Sequence, residues 1–185
     1  MSCPTIFRLA ALAGILSLLV VRLVGAEDQQ SQPEVPSALQ VPSGQKLFVR
    51  AEAKGVQIYK SVEGKDGKLE WVLEGPLAEL FGADGKTLGF HYEGPSWEAI
   101  DGSKVSRDKE YTVRITAAPN PQEDIPWLLI KVNAEGDKQG VFNRIEYIQR
   151  VNTKGGKAPV EPPLRLGTKV GKAYRATYYC YGHAD

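Results

Sequence analysis

Three Asp-Gly pairs, Asp66-Gly67, Asp84-Gly85 and Asp101-Gly102, divide the middle of this chain into short runs rich in β-branched and aromatic residues. Asp-Gly suits the positive φ angles of tight hairpin turns, so each pair predicts a hairpin between antiparallel strands. The flanking runs agree. KLFVRAEA puts Leu47, Val49, Ala51 and Ala53 on one face against Phe48, Arg50 and Glu52 on the other. LEWVLE aligns Leu69, Trp71 and Leu73, and YTVRITA aligns Tyr111, Val113 and Ile115. WLLIKV, from Trp127 to Val132, is apolar on both faces and reads as a central strand. GVQIYKSV places Val56, Ile58 and Val62 opposite Gln57, Tyr59 and Ser61, the pattern of a strand with one half-solvated polar face; Gln57 and Tyr59 are then available to line a groove. Only PLAELF suggests a short turn of helix. In VFNRIEYIQRVN, Phe142, Ile145, Ile148 and Val151 recur every three residues, but Ile, Tyr and Val favour strands and the segment is read as one. About ten short strands predict an all-β fold, an antiparallel β-sandwich or barrel.

The N-terminus carries a different message. Arg8 precedes an apolar run from Leu9 to Val21, and the small residues Gly25 and Ala26 follow. This is the pattern of a secretory signal peptide, a helix over residues 1–26 cleaved near Ala26, and it directs the chain to a secreted or periplasmic location. The run falls short of the roughly 20 residues of a stable membrane span, although Arg22 just beyond it leaves an uncleaved anchor as the alternative. Residues 27–42 are polar and carry three prolines, as expected of a flexible linker, which leaves 43–185 as a single β domain. Loss of Arg8 and Arg22 takes Lys plus Arg from 23 to 21 against 22 acidic residues, a balance that attracts neither nucleic acid nor anionic membrane. Cys3 leaves with the signal, so Cys180 is expected to have no intrachain partner, and core packing must hold the domain together.

The segments LQVPSGQKLFVRAEAKGVQIYKS, HYEGPSWEAIDGSKV, IPWLLIKV and IQRVNTKGGKAP follow one another in this order. Together they resemble a widespread family of secreted bacterial and fungal proteins that forms a domain of unknown function. The resemblance runs from about Pro36 to Tyr178 and Tyr179, and it brings no activity, cofactor or catalytic residue with it. It implies one cysteine after the IY of GVQIY and another after GGxAP, paired as a disulfide. Ser61 and the stretch VEPPLR occupy those places here, so both halves are absent together. Cys180, in YYCYG, stands where the resemblance implies an aromatic residue.

HYEGPSWEAIDG is the densest chemical candidate: His91, Trp97 and Glu98 supply an imidazole, a stacking surface and a carboxylate around the Gly94-Pro95 turn. If the two flanks pair, His91 and Glu98 can serve acid-base chemistry; the alternative is a hydrogen-bonded histidine beside a core tryptophan. IQRVNTKGGKAP brings Gln149, Arg150, Asn152 and Thr153 next to Gly155-Gly156, groups suited either to sugars and peptides or to fixing a strand end locally. No metal site or cofactor is expected. His91 and His183 are the only histidines, Cys180 and His183 form a lone C-x-x-H, and neither a G-x-S-x-G elbow nor a phosphate loop is present. These readings favour a non-catalytic binding module for a small polar ligand, a glycan or a cell-envelope partner, with Trp97, Gln149, Asn152 and Thr153 as ligand-binding residues beside His91 and Glu98. A hydrolase or lyase using His91 and Glu98, and a structural envelope or matrix protein, are the alternatives.

Overall fold

The computed structural model describes Met1 and residues 33–136 and 139–183; the expected signal helix lies, apart from Met1, outside the described residues. Nine strands follow in order: β1 (Gln45–Glu63), β2 (Leu69–Phe81), β3 (Thr87–Tyr92), β4 (Ser96–Ala99), β5 (Lys104–Arg107), β6 (Arg114–Thr116), β7 (Trp127–Glu135), β8 (Tyr147–Gly155) and β9 (Lys169–His183). All pairings between them are antiparallel.

The sheet closes on itself. Successive pairings run from β5 through β4, β3, β2, β1, β9 and β8 to β7, and Lys104–Arg107 of β5 then pairs with the second half of β7. Eight strands therefore form a barrel, and β6 pairs with the first half of β7 on the same side as β5. Closure removes the exposed edges that a flat sheet of this length leaves unpaired.

All three Asp-Gly pairs form the turns of hairpins, and they do so in one way. Gly67, Gly85 and Gly102 have φ of 76°, 75° and 82°, while the aspartates keep negative φ. Each aspartate instead accepts from the amide two residues on, at 3.1 Å for Asp66 to Lys68, 3.0 Å for Asp84 to Lys86 and 2.8 Å for Asp101 to Ser103. The loops are thus turns closed by a left-handed glycine rather than two-residue turns that need positive φ at both positions.

Several expectations fail. VFNRIEYIQRVN is a strand only from Tyr147, because residues 141–146 form turns that carry Phe142 and Ile145 across the core, and of YTVRITA only Arg114–Thr116 is a strand. Two more fail for reasons of register. PLAELF is part of β2, with Ala78 and Leu80 buried at a period of two, because it has β1 on one side and β3 on the other to pair with. In β1 the polar face is the inner one: Gln57, Tyr59 and Ser61 are buried, while Val56, Ile58 and Val62 are partly exposed. The inner parity set by Val49, Ala51 and Ala53 continues through the strand, so the residues that follow turn inward whatever their polarity.

The interior holds Val49, Ala51, Leu80, Trp97, Val105, Val132, Ile148 and Tyr178 in one cluster, joined by Phe142 and Ile145 from the β7–β8 connection. A second, smaller cluster lies on the outer face, where Val151, Tyr179 and Tyr181 meet Trp127, Tyr147 and the N-terminal Val35 and Val41. The end of the expected linker is accordingly packed: Ser37–Leu39 forms a single helical turn and Leu39 is fully buried. Among the described residues no helix is long and apolar enough to cross a membrane.

Candidate functional site

At one end of the barrel the packed core gives way to a cleft of about 630 Å³. Every strand of the closed ring lines it: Gln57 from β1, Leu73 and Pro76 from β2, His91 from β3, Trp97 from β4, Arg107 from β5, Leu128 and Ile130 from β7, Arg150 from β8 and Tyr178 from β9. The β5–β6 connection forms a rim with Lys109, Glu110, Tyr111 and Val113. The opposite end is closed. There Asp101, in the β4–β5 turn, accepts from the Val141 amide at 2.9 Å, and the Ser103 hydroxyl accepts from the Phe142 amide at 3.1 Å, fixing the β7–β8 connection across the core. A barrel mouth with one end plugged is a common setting for small-molecule sites.

His91 lies deep in the cleft wall. Pairing of β3 with β4 sets it opposite Trp97, with the two rings stacked 4.2 Å apart at 11° and the Tyr178 ring edge-on at 5.3 Å. Its Nδ1 donates to the Ser96 carbonyl at 2.8 Å, which leaves Nε2 as an acceptor. Burial holds its pKa down to about 3; the Ser96 carbonyl works against this and the Arg150 guanidinium reinforces it. The imidazole is therefore neutral at ordinary pH.

Glu98 does not join it. His91 is opposite Trp97, so Glu98 falls opposite Phe90 on the other face of the sheet, where it accepts from the Tyr92 hydroxyl at 2.6 Å. The period of two along a strand separates the expected acid-base pair. Trp97 reaches the cleft, but at 2% exposure, with one face against His91 and Tyr178 at its edge, it offers no free platform for a sugar ring.

The other expected ligand-binding residues serve the framework. Gln149 is buried on the outer side, donating to the Leu39 carbonyl at 2.6 Å and accepting from Tyr181 at 3.0 Å. Thr153 donates to the Ile125 carbonyl at 2.6 Å. Asn152 adopts a positive φ of 51° at a bulge where β8 shifts register against β9. Of the expected site residues the cleft thus gathers His91 and Trp97, together with Gln57 from the suspected groove strand; Tyr59 instead donates to the Gly156 carbonyl.

Arg107, Tyr111 and Tyr178 are cleft residues that no sequence motif marks, whereas Arg150 stands among the polar residues of IQRVNTKGGKAP. Arg150 had a usable signal, because it alternates with Gln149 and shares the parity of the inward Ile148. Burial raises the pKa of the Tyr178 hydroxyl, against the nearby Arg150 charge. Arg107, Lys109 and Arg150 face the cleft with Glu110 as the lone acidic lining residue. Neither Arg107 nor Arg150 takes part in the ion pairs found among the described residues.

The hydrogen-bond accounting is uneven. Among the described residues nine buried side-chain polar atoms have no partner; five of them, Gln57 Nε2, Trp97 Nε1, Arg107 Nε, Tyr111 Oη and Arg150 Nε, belong to residues lining this cleft, and the other four, on Gln45, Ser61, Trp127 and Asn143, lie elsewhere. Buried polar atoms are ordinarily paired, so the residues around this cleft carry an unusual share of the unpaired ones. No group of three or more His, Cys, Asp or Glu side chains among the described residues is placed to hold a metal ion.

Residues 42–182 match the family described as protein of unknown function (DUF3455), and because the match spans well over half of the sequence, the chain belongs to that family. No curated protein and no solved structure matches it.

Proposed function

We propose that this member of the family is an exported binding protein whose site is the cleft at the barrel mouth, and that it holds a small molecule without transforming it. The observation that carries this reading is one cleft whose lining residues hold five of the nine buried side-chain polar atoms without a partner among the described residues. The cleft volume of about 630 Å³ lies in the range of drug-sized ligand sites. Separation of His91 from Glu98 onto opposite faces favours binding over acid-base catalysis by that pair. Export rests on the charged, apolar and small-residue pattern of residues 1–26.

The test is affinity selection. The purified protein is incubated with a mixture of small extracellular metabolites, separated from unbound compounds by size, and analysed by mass spectrometry. Val113, partly buried at the rim, is replaced by Trp to fill the entrance. The wild type retains one or a few compounds and Val113→Trp, folded by circular dichroism, loses them. Equal retention by both proteins, or none by the wild type, overturns the assignment of the cleft.

A further inference from the structure

The unpaired atoms of the cleft-lining residues have a chemical sign. Gln57 Nε2, Trp97 Nε1, Arg107 Nε and Arg150 Nε carry N–H groups that donate and cannot accept, and the Tyr111 hydroxyl can do either. His91 Nε2 is one acceptor beside these donors, so a hydroxyl-rich ligand, which brings donors along with its acceptors, finds more donors than acceptors to meet. An ionised acid brings acceptors only. A cation is excluded by the two guanidiniums, and a wholly apolar guest leaves the N–H groups unpaired. Leu73, Ile130, Val113 and Leu128 supply apolar wall beside the donors. Lys109 and Glu110 are both exposed at the rim, where solvent screens them, so the charge inside the cleft is that of Arg107 and Arg150.

We propose that the cleft takes an amphipathic anion, a single acid group carried on a compact apolar body, with the acid held by Arg107 and Arg150 and the body against Leu128, Ile130 and Leu73. This rests on the reading of the cleft as a small-molecule site and adds the class of ligand. Arg150 is pre-set for the task, because its Nη2 is fixed to the Pro126 carbonyl at 2.9 Å and its cross-strand neighbours Leu128 and Tyr178 also line the cleft. A fixed guanidinium loses little freedom on binding and presents its remaining donors in a constant plane.

Phenylbutyrate, phenylbutanol, phenylbutylamine and acetate share either the apolar body or the acid, and they separate the two contributions by titration calorimetry on the full chain. Phenylbutyrate is expected to bind about 10-fold or more tightly than phenylbutanol, with the amine and acetate weaker still. Arg107→Gln and Arg150→Gln each lower the affinity for phenylbutyrate about 10-fold and leave that for phenylbutanol unchanged. Arg150→Lys keeps a cation if the Gln variant fails to fold, and it retains part of the preference for the acid. Added salt weakens the acid and not the alcohol. Equal affinity for acid and alcohol, or preference for the amine, overturns the anion inference and leaves the small-molecule site standing. Retention of metabolites from the mixture with no binding of phenylbutyrate also overturns it. Failure of both experiments removes the site itself.

Discussion

His91 shows how burial decides the behaviour of a single group. Its folded pKa of about 3 lies below the 6.5 of an exposed histidine, so between those values the unfolded chain binds more protons than the native one. Stability is then complete above about pH 6.5 and is lost as pH falls toward 3, at up to about 1.4 kcal/mol per pH unit. His91→Asn keeps an amide N–H for the Ser96 carbonyl and removes the titration. Urea unfolding at about pH 7 and about pH 5 should show the wild type losing roughly 2 kcal/mol more than the variant; equal losses would mean that His91 is not held neutral. Ser61 presents the opposite case. It is fully buried, its hydroxyl has no partner, and Ser61→Ala should leave stability unchanged or raise it by up to about 1 kcal/mol. A clear loss in thermal denaturation would reveal a partner for that oxygen.

At the scale of elements, hairpins were legible because an Asp-Gly pair determines its turn locally, through a side-chain acceptor and a left-handed glycine. Which face of β1 turned inward was not legible from GVQIYKSV alone. Its polarity argued for Val56 and Ile58, yet the register inherited from Val49 and Ala51 put Gln57 inside, and a local apolar count cannot see that continuity. The site was readable in part for the same reason: His91 and Trp97 share a face across one turn, whereas Gln57, Arg107 and Arg150 converge only when the barrel closes. Glycines show where the closed barrel leaves no room. A Cβ at Gly55, in the middle of β1, would collide with the backbone of Leu77 and Ala78 on β2, while a Cβ at Gly171 of β9 would lie 3.4 Å from Val56 in ordinary contact. Gly55→Ala is expected to cost about 1 to 3 kcal/mol in denaturant titration and Gly171→Ala much less. Equal costs would mean that β1 and β2 separate freely at this point.

At the scale of the molecule, closure was beyond the reach of local patterns, because the pairing of β5 with β7 joins segments that no turn connects directly. An all-β fold with a sandwich or a barrel was as far as alternation alone could lead. The consequence of closure is that β9 is held on both sides around Cys180: it pairs with β1 along its length and with β8 from Tyr174 to Tyr181, and it carries Cys180 inward at 1% exposure. Burial pushes the Cys180 thiol up to about 12, so it is doubly protected, by the lack of thiolate and by the lack of access. Releasing it requires β9 to leave two partners, and in a closed barrel that breaks the ring as a whole. Alkylation of Cys180 is therefore a reporter of global unfolding. Iodoacetamide labelling, read at the Cys180 peptide by mass spectrometry, should be negligible in native buffer. When refolding outpaces labelling, its rate across a urea series should yield the same unfolding free energy as circular dichroism. Labelling in native buffer at a rate insensitive to low urea would show that β9 frays locally, and that the barrel is held by its other seven strands without it.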